Sequence, residues 1–599
     1  MFSTYRKIFD LLDRRERYRF VLLLGMILVM SLLEVAGVAS IIPFLAVLSD
    51  PQMIHETPYL QVAYDGLGFQ SDRAFLLFLG GIVFGVVVFG LAFKAVTLYA
   101  LTRFSMLRIY SISTRLFGVY LSQPYVWFLS RHSADLSKTI LSEVGQVIGK
   151  SVLPALTLLA HITVVIALAV LLFLMDPVVV TVVVAVLVGS YGLIYFGIRR
   201  LLTRIGEQRV HANRERYQSA NEAMGGIKDI KMLGLEDAYF RRFRQPAAIF
   251  ARVEALAAIL GEIPRYVLEA VAFGGMLIIL LVLLARADGR LEEVIPLLGV
   301  FAFAGMRMFP AMQKVYFSFT QLRFGGYALD ALHRELTESR PAHPLPAQPG
   351  EALDLTQCLE LEDVHYSYPG AEKPALNGLE IRINAFTTVG IVGGSGAGKT
   401  TAVDVILGLL SPQQGVLRVD GAVITEQNRR AWQRSIGYVP QHIFLSDDTI
   451  AANIAFGVPR NRIDRDAVKH AARLSELDRF VMEELPQGYE TKVGERGVRL
   501  SGGQRQRIGI TRALYYDPSV LVFDEATSAL DNLTERAVMD AVHNLTGAKT
   551  VIMIAHRLTT VQGCTEIILM EEGQVVARGS YAELIEGSEA FRKLASAAA

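Results

Sequence analysis

Cysteine is nearly missing from this chain: only Cys358 and Cys564 occur in 599 residues. They lie far apart and match no metal-ligand or redox spacing, so they read as reduced, structural thiols facing a cytosol. Charge is scarce too. Only 20% of the residues are Asp, Glu, Lys or Arg, against 52% hydrophobic, and the mean hydropathy is +0.37. That balance is too apolar for an ordinary soluble enzyme and points to a membrane protein. A net charge of +1 with no basic tail gives nucleic acid no electrostatic footing. No cleavable signal peptide is evident. The opening "MFSTYRKIFDLLDRRERYRF" is amphipathic and charged, and it reads as an interfacial helix on the cytoplasmic surface.

What is present is unevenly distributed. Residues 1–336 hold nearly all the long apolar runs, and residues 358–599 have the texture of a soluble α/β domain. Between them, 337–357 is rich in proline and polar residues, the composition of a linker. Six apolar segments can be drawn at about 18–48, 73–103, 135–175, 178–210, 245–285 and 294–328. Several exceed the ~20 residues a span needs, so the helices are expected to continue beyond the bilayer. Arginine and lysine crowd the connections near 103–138 and 199–244, while the opposite connections are short or acidic. The positive-inside rule then puts both termini in the cytoplasm. Two stretches, 122–136 and 222–236, fall where long helices would turn in the cytosol and form feet.

The C-terminal region carries nucleotide chemistry. "IVGGSGAGKTT" follows an apolar β-rich stretch and precedes an apolar helix. This is the strand–loop–helix context of a P-loop, formed by Gly393, Gly394, Ser395, Gly396, Ala397, Gly398, Lys399, Thr400 and Thr401. Glycines let backbone N–H groups crowd the phosphates, Lys399 bridges the outer phosphates, and Thr400 offers a hydroxyl to Mg2+. "SVLVFDEATSALD" then delivers Asp524 and Glu525 at the end of a buried strand. Asp524 is placed to hold the magnesium through water, and Glu525 to orient and polarise the attacking water. A second glycine-rich turn, Ser501, Gly502, Gly503 and Gln504, stands ahead of a helix. One ATP does not need two such turns in one chain, so this one is economically explained by the ATP of a second subunit.

With that second turn the sequence resembles the nucleotide-binding domain of ABC transporters, whose signature is the LSGGQ stretch. The resemblance implies further roles. Tyr368 in "YSYPG" would stack on adenine, and Gln441 in "IGYVPQ" would sense the magnesium and contact the feet. Asp531 would lie in the loop that crosses the dimer interface, His556 would contact the γ-phosphate, and Glu495 would mark the exporter-type segment before the signature. Six spans followed by an ATP domain resemble an exporter-type half-transporter: a type IV exporter membrane domain joined to an α/β P-loop domain, acting as a homodimer. In such proteins the feet are coupling helices.

The cargo must be read from the membrane segments. Ionisable residues inside them include Glu34, Lys94, Arg265, Glu269 and Arg307, and such residues default to functional candidates. At about 1.5 Å per residue, Arg307 lies ~20 Å below the outer end of its helix, and Lys94 and Arg265 lie ~30 Å down theirs, close to the inner boundary. Lys94 can instead snorkel to headgroups, Arg265 can pair with Glu269 one turn away, and Glu34 is a possible partner for Arg307. Three cations in one cavity suit an anionic group, best a phosphate or pyrophosphate. "SLLEVAGVASIIPFLAVLSD", "FKAVTLYALTRFS", "EIPRYVLEAVAF" and "MRMFPAM" resemble the PglK family of lipid-linked oligosaccharide flippases. There, basic residues at positions matching Lys94, Arg265 and Arg307 are thought to hold the pyrophosphate, and 50–72 would form a short external helix. The expectation is an ATP-hydrolysing flippase for a polyprenyl-pyrophosphate-linked glycan in a bacterial inner membrane, with no nucleic-acid partner. The expected partner of Arg307 is the cargo's phosphate and not a side chain. Other readings are export of another lipid, a peptide or a drug, and an ATP-gated channel or regulator. The absence of a peptidase extension before the first span weighs against peptide-processing exporters, and the six spans exclude a soluble ABC ATPase.

Overall fold

The computed structural model describes residues 2–286, 291–338, 351–494, 497–525, 547–555 and 557–598. The chain divides into two compact units: Met1–Gln123 with Trp127–Leu345, and Pro124–Val126 with Pro346–Ala599.

The first unit is helical. A short helix, Phe2–Asp10, is anchored by Ile8, which is fully buried, and by the Tyr5 hydroxyl donating to the Ala155 carbonyl at 3.0 Å. The chain then enters the Arg14–Ala39 helix, whose first turn is fixed when the Glu16 carboxylate accepts from the Asp13 N–H. Glu16 is itself buried against Arg108. The later helices Asp72–Leu121, Pro177–Gly225, Glu236–Arg286 and Leu291–Glu338 each hold 48 to 51 residues. At about 1.5 Å per residue each is ~70–75 Å long, more than twice the ~30 Å hydrocarbon core, so they do continue beyond it.

Among the described residues, four helical segments are long and apolar enough to cross a membrane: Arg14–Ser49, Asp72–Leu121, Ser133–Met175 and Val180–Gly225. The last two expected spans fall on the Glu236–Arg286 and Leu291–Glu338 helices, and the turn joining them lies outside the described residues. Apolar side chains ring the outside of Asp72–Leu121, with Leu77, Phe84, Phe89, Val96 and Leu98 all exposed. So continuous an apolar belt is stable only against lipid or another apolar surface. Inside, Ile27, Met30, Leu101, Val164, Leu168 and Ala304 bind the first, second, third and sixth spanning helices into one core.

Short helices occupy the connections between the long ones. Between the first two spans, Met53–Glu56 and Pro58–Gly66 are short helices packed through Ile54, Leu60 and Tyr64 onto Phe75. Two short helices, Tyr125–Leu129 and Ile227–Leu233, sit within the two expected feet, the second closed by Gly234 with φ +65°. Pro124–Val126, in the first foot, groups with the second unit.

The second unit is α/β. Its strands are β1 (Cys358–Tyr366), β2 (Leu376–Asn384), β3 (Thr388–Val392), β4 (Gln414–Val419), β5 (Ala422–Val423), β6 (Ile436–Val439), β7 (Val520–Asp524), β8 (Thr550–Ile554), β9 (Glu566–Glu571) and β10 (Gln574–Gly579). They form an antiparallel sheet, β2-β1-β4-β5, and a mainly parallel sheet, β10-β9-β3-β8-β7-β6. Strands β3 and β8 are buried on every residue, as central parallel strands require. Trp432 is fully buried, and its indole N–H donates to the Ile406 carbonyl at 2.7 Å. The proline-rich stretch lies partly outside the described residues, but its end is docked. The Leu353 N–H donates to the Ala431 carbonyl, Leu355 is buried, and the Asp420 carboxylate caps the N–H groups of Thr356, Gln357 and Cys358. Both cysteines are free, and burial pushes the Cys564 thiol up to about 12, so it stays an inert thiol.

Candidate nucleotide site and intramembrane charge cluster

Strand β3 ends at Val392, and the chain turns through 393–398 into the Lys399–Ile406 helix. Two glycines are dictated by geometry. A Cβ on Gly393 would lie 2.2 Å from the Met570 carbonyl, and Gly398 caps the helix at φ +94°, with a Cβ 2.6 Å from the Ala375 carbonyl. Gly394, Ser395 and Gly396 are exposed and Ala397 is buried. The Lys399 ammonium lies inside the loop and donates to the Gly393 and Gly394 carbonyls, each at 2.9 Å. Burial lowers its pKa, opposed by the negative charges of Glu525 and Asp524. Thr400 is exposed. Thr401 is buried, its hydroxyl 3.2 Å from that of Tyr368. Tyr368 meets Tyr366 edge-on at 5.2 Å, which fixes the plane of its ring.

The carboxylates stand at the end of the neighbouring strand. Tyr438 on β6 donates to Asp524 at the tip of β7 over 3.2 Å. Glu525 follows with φ +50°, a left-handed conformation that a β-carbon disfavours. Two hydrogen bonds hold it there: its N–H donates to the Ile554 carbonyl at 3.1 Å, and its carboxylate accepts from Gln441 Nε2 at 2.6 Å. Asp404, one turn into the P-loop helix, has its carboxyl raised to about 6 by burial, then by the charge of Asp524. Neither Tyr438 nor Asp404 was evident as part of the site. Tyr438 stands three residues before Gln441 in "IGYVPQ", and its parallel pairing with Val522 supplies the reason it arrives there.

The second glycine-rich turn caps the Gly502–Leu514 helix. The Ser501 hydroxyl accepts from the Gln504 N–H at 3.2 Å, and the Gln504 side chain accepts from the Ser501 N–H at 2.8 Å. This capping box commits the Gln504 side chain to its own helix. The first-turn N–H groups of Gly502 and Gly503 then remain available to an anion at the helix start. Gln441, His442, Phe444, Gly502, Arg505 and Gln506 line a cleft beside this turn. Asp531, His556 and Glu495 lie outside the described residues.

In the membrane unit, Glu34 is buried and meets two cations. Lys94 Nζ donates to Glu34 Oε1 at 2.6 Å, and Arg307 Nη1 lies 3.6 Å from Glu34 Oε2. Glu34, a possible partner of Arg307 in the sequence, does lie against it, which corrects the expectation that a phosphate and not a side chain is that partner. The shared carboxylate also puts Lys94 and Arg307 at one level, where residue counting had set them ~10 Å apart. The physical reason is that counts from two different helix starts share a common zero only where packing sets those starts level. Arg265 is elsewhere: it is exposed and donates to Glu269, four residues on, at 2.9 Å. Lys94, Lys314 and Glu34 all lie within electrostatic reach of His161, whose Nδ1 is buried with no hydrogen-bond partner among the described residues. Lys314 and His161 escaped the sequence reading because only helix packing brings them near Lys94 and Glu34.

Comparison with known proteins fits this geometry. The model of the ABC transporter ATP-binding region matches residues 376–528, and that of the ABC transporter transmembrane region matches 39–292. An ATP-dependent lipid A-core flippase of Cupriavidus metallidurans is 32% identical over 79% of this chain and 78% of its own length. The chain belongs to the ABC transporter family. A flippase of the same name from Ralstonia nicotianae is 30% identical over 80% of each chain. A bacterial Atm1-family ABC exporter solved with ATP bound shares the fold, with a TM-score of 0.79 at 23% identity over 97% of this chain and 99% of that one. This ABC transporter is an exporter-type half-transporter with a multi-pass membrane region and an ATP-binding domain, and it couples ATP hydrolysis to translocation.

Proposed function

We propose that this ABC transporter flips an anionic, phosphorylated lipid from the inner to the outer leaflet of a bacterial inner membrane, with both termini cytoplasmic. The cargo it suits best is a polyprenyl-pyrophosphate-linked oligosaccharide. The observation that carries this reading is the cluster of Lys94 and Arg307 around the buried Glu34, which among the described residues leaves one positive charge uncompensated within the spanning helices. Positive charge held there is expensive without an anion to meet it. Arg265, exposed on the Glu236–Arg286 helix, is assigned to the same cargo path. A lipid A-type cargo, with phosphates on a sugar, is the second reading, favoured by the names of the relatives.

The motor is a homodimer. Each ATP is bound by the P-loop and Tyr368 of one copy and the Ser501–Gln504 turn of the other, which explains why the chain carries both. Asp524, Thr400 and Gln441 form a hard oxygen donor set suited to Mg2+, which would neutralise the phosphates. Glu525 orients and deprotonates the attacking water, and His556 meets the γ-phosphate. ATP clamps the two ATP domains together, and hydrolysis releases them.

The test is a flipping assay in proteoliposomes with fluorescent undecaprenyl-pyrophosphate oligosaccharide and fluorescent lipid A in parallel. ATP-dependent movement of the first supports the reading. Movement of lipid A alone replaces the cargo, and stimulation only by peptides or drugs removes the lipid reading altogether.

A further inference from the structure

Glu34 is an odd residue for a cationic cargo site. It lies within "SLLEVAG", an apolar stretch of the Arg14–Ala39 helix, and its side chain is only 5% exposed. Burying a carboxylate in so apolar a place is costly unless cations meet it. Two do, from two other helices, so the cluster carries two positive charges and one negative. The arrangement is directional. The Lys94 side chain is 35% exposed and that of Arg307 21%, so the cations occupy the open side and the carboxylate is sealed behind them. The seal is made by close packing of the helices: a Cβ on Gly90 would lie 3.6 Å from the Leu33 carbonyl, and Leu33, Val87 and Phe303 line the cleft. The two contacts are unequal. Lys94 makes a short hydrogen bond, whereas Arg307 at 3.6 Å is beyond hydrogen-bonding range and keeps its fork of donors largely unspent.

We propose that Glu34 is the resident counter-ion of the cargo site. It holds Lys94 in place and leaves Arg307 free to take a lipid phosphate in bidentate fashion. It also weakens the site's hold on that phosphate enough to permit release on the far side. The inference rests on the reading of Lys94 and Arg307 as headgroup ligands. A translocation site must bind and then let go. Two unopposed cations in a low-dielectric cleft would hold a phosphate too long, and a fixed carboxylate behind them lowers the affinity without adding a barrier in the path. A neighbouring charge typically changes an ionic equilibrium by about 10- to 1,000-fold, so removal of Glu34 is expected to tighten phosphate binding at least ~10-fold.

The experiment uses full-length protein in nanodiscs and reads the stimulation of ATPase activity by undecaprenyl pyrophosphate, by lipid A and by uncharged undecaprenol. Glu34→Gln should lower the half-saturating concentration of the phosphorylated lipid about 10-fold. It should also lower the maximal stimulated rate, because release slows, while Glu34→Asp behaves as wild type. Undecaprenol should respond identically in all variants. The two phosphorylated lipids distinguish which headgroup is the source of the phosphate. Lys94→Gln should weaken stimulation, and Glu34→Gln combined with Lys94→Gln should restore half-saturation to the wild-type value or below, since the net charge returns. That rescue keeps the inference testable even if Glu34→Gln alone fails to fold. If the double variant is no tighter than Lys94→Gln, Glu34 is only a structural partner of Lys94 and the inference is overturned. If neither Lys94→Gln nor Arg307→Ala changes the response to any phosphorylated lipid, the cargo reading itself fails instead.

Discussion

Gln441 holds Glu525 by a 2.6 Å hydrogen bond, in a backbone conformation that Glu525 would not choose for itself. The bond fixes one oxygen of the carboxylate at the strand tip. Replacing Glu525 by Gln keeps the shape and removes the base. ATP binding should persist while phosphate release falls about 100- to 10,000-fold. Nucleotide retained on the protein after gel filtration, with phosphate release followed in parallel, checks this. Continued turnover would take Glu525 out of its assigned role.

Gly393→Ala should damage the fold before it damages catalysis. The new methyl would stand 2.2 Å from the Met570 carbonyl, where β3 pairs with β9. The Met570 backbone stands on one side and the Ala397 methyl at 3.1 Å on another, so relief requires a strand shift, and overpacking of this kind costs about 1–3 kcal/mol. Thermal unfolding without nucleotide is the appropriate measurement. A melting temperature equal to wild type would mean the loop accommodates the methyl.

Asp404 makes a pH-dependent prediction. Its carboxyl is raised from 3.8 to about 6 in the folded protein. Below pH ~4 both folded and unfolded forms are protonated, and the group is neutral in the balance. As pH rises from ~4 to 6 the unfolded chain ionises first, so stability falls, and above pH 6 the cost is complete. Asp404→Asn should therefore raise the melting temperature at pH 7.5 and leave it unchanged near pH 4. An equal shift at both pH values would point to packing and not to the charge.

Ser501→Ala should remove the cap of the Gly502–Leu514 helix, at about 1 kcal/mol. If the turn also serves the ATP of a second copy, ATPase activity should fall far more than that modest loss of stability explains. Activity measured well below the melting temperature separates the two effects. A loss of activity that follows stability alone would confine Ser501 to capping.

Arg265 offers a clean contrast with the buried cluster. Its partner Glu269 is one helical turn away and both are exposed, so solvent screens the pair and it should contribute little to stability. Arg265→Ala should leave the melting temperature in place. If Arg265 guides cargo, lipid flipping in proteoliposomes drops while basal ATPase activity holds. Unchanged flipping would reduce Arg265 to a surface ion pair.

Much of this protein was legible before any coordinates. The P-loop is local: its glycines, lysine and threonines are contiguous, and the strand before them and helix after them are fixed by short-range propensity and burial. The LSGGQ turn is local in the same sense, a capping box written in four residues. The long apolar segments likewise announce themselves by length and composition, and the positive connections give them an orientation. Arg307 shows the opposite case. Counting residues along its helix gave a depth and no neighbour, since nothing within a helical turn carries charge. Only the packing of three separate helices brought Glu34 between Lys94 and Arg307, and residue counting alone put Lys94 some 10 Å too deep relative to Arg307. Tyr438 reached Asp524 through strand pairing in the same way.

The sequence by itself determined that the chain spans a membrane, carries an ATP motor and belongs with exporters. Those properties reside in contiguous motifs and in bulk hydrophobicity, which need no long-range contact to be read. The tertiary structure alone decided which distant groups meet. Lys94 and Arg307 share one carboxylate, and Gln441 holds Glu525 across 84 residues of chain. Ion pairing falls off over a few ångströms, so it is set by helix packing and strand register, and these are not written in any one segment.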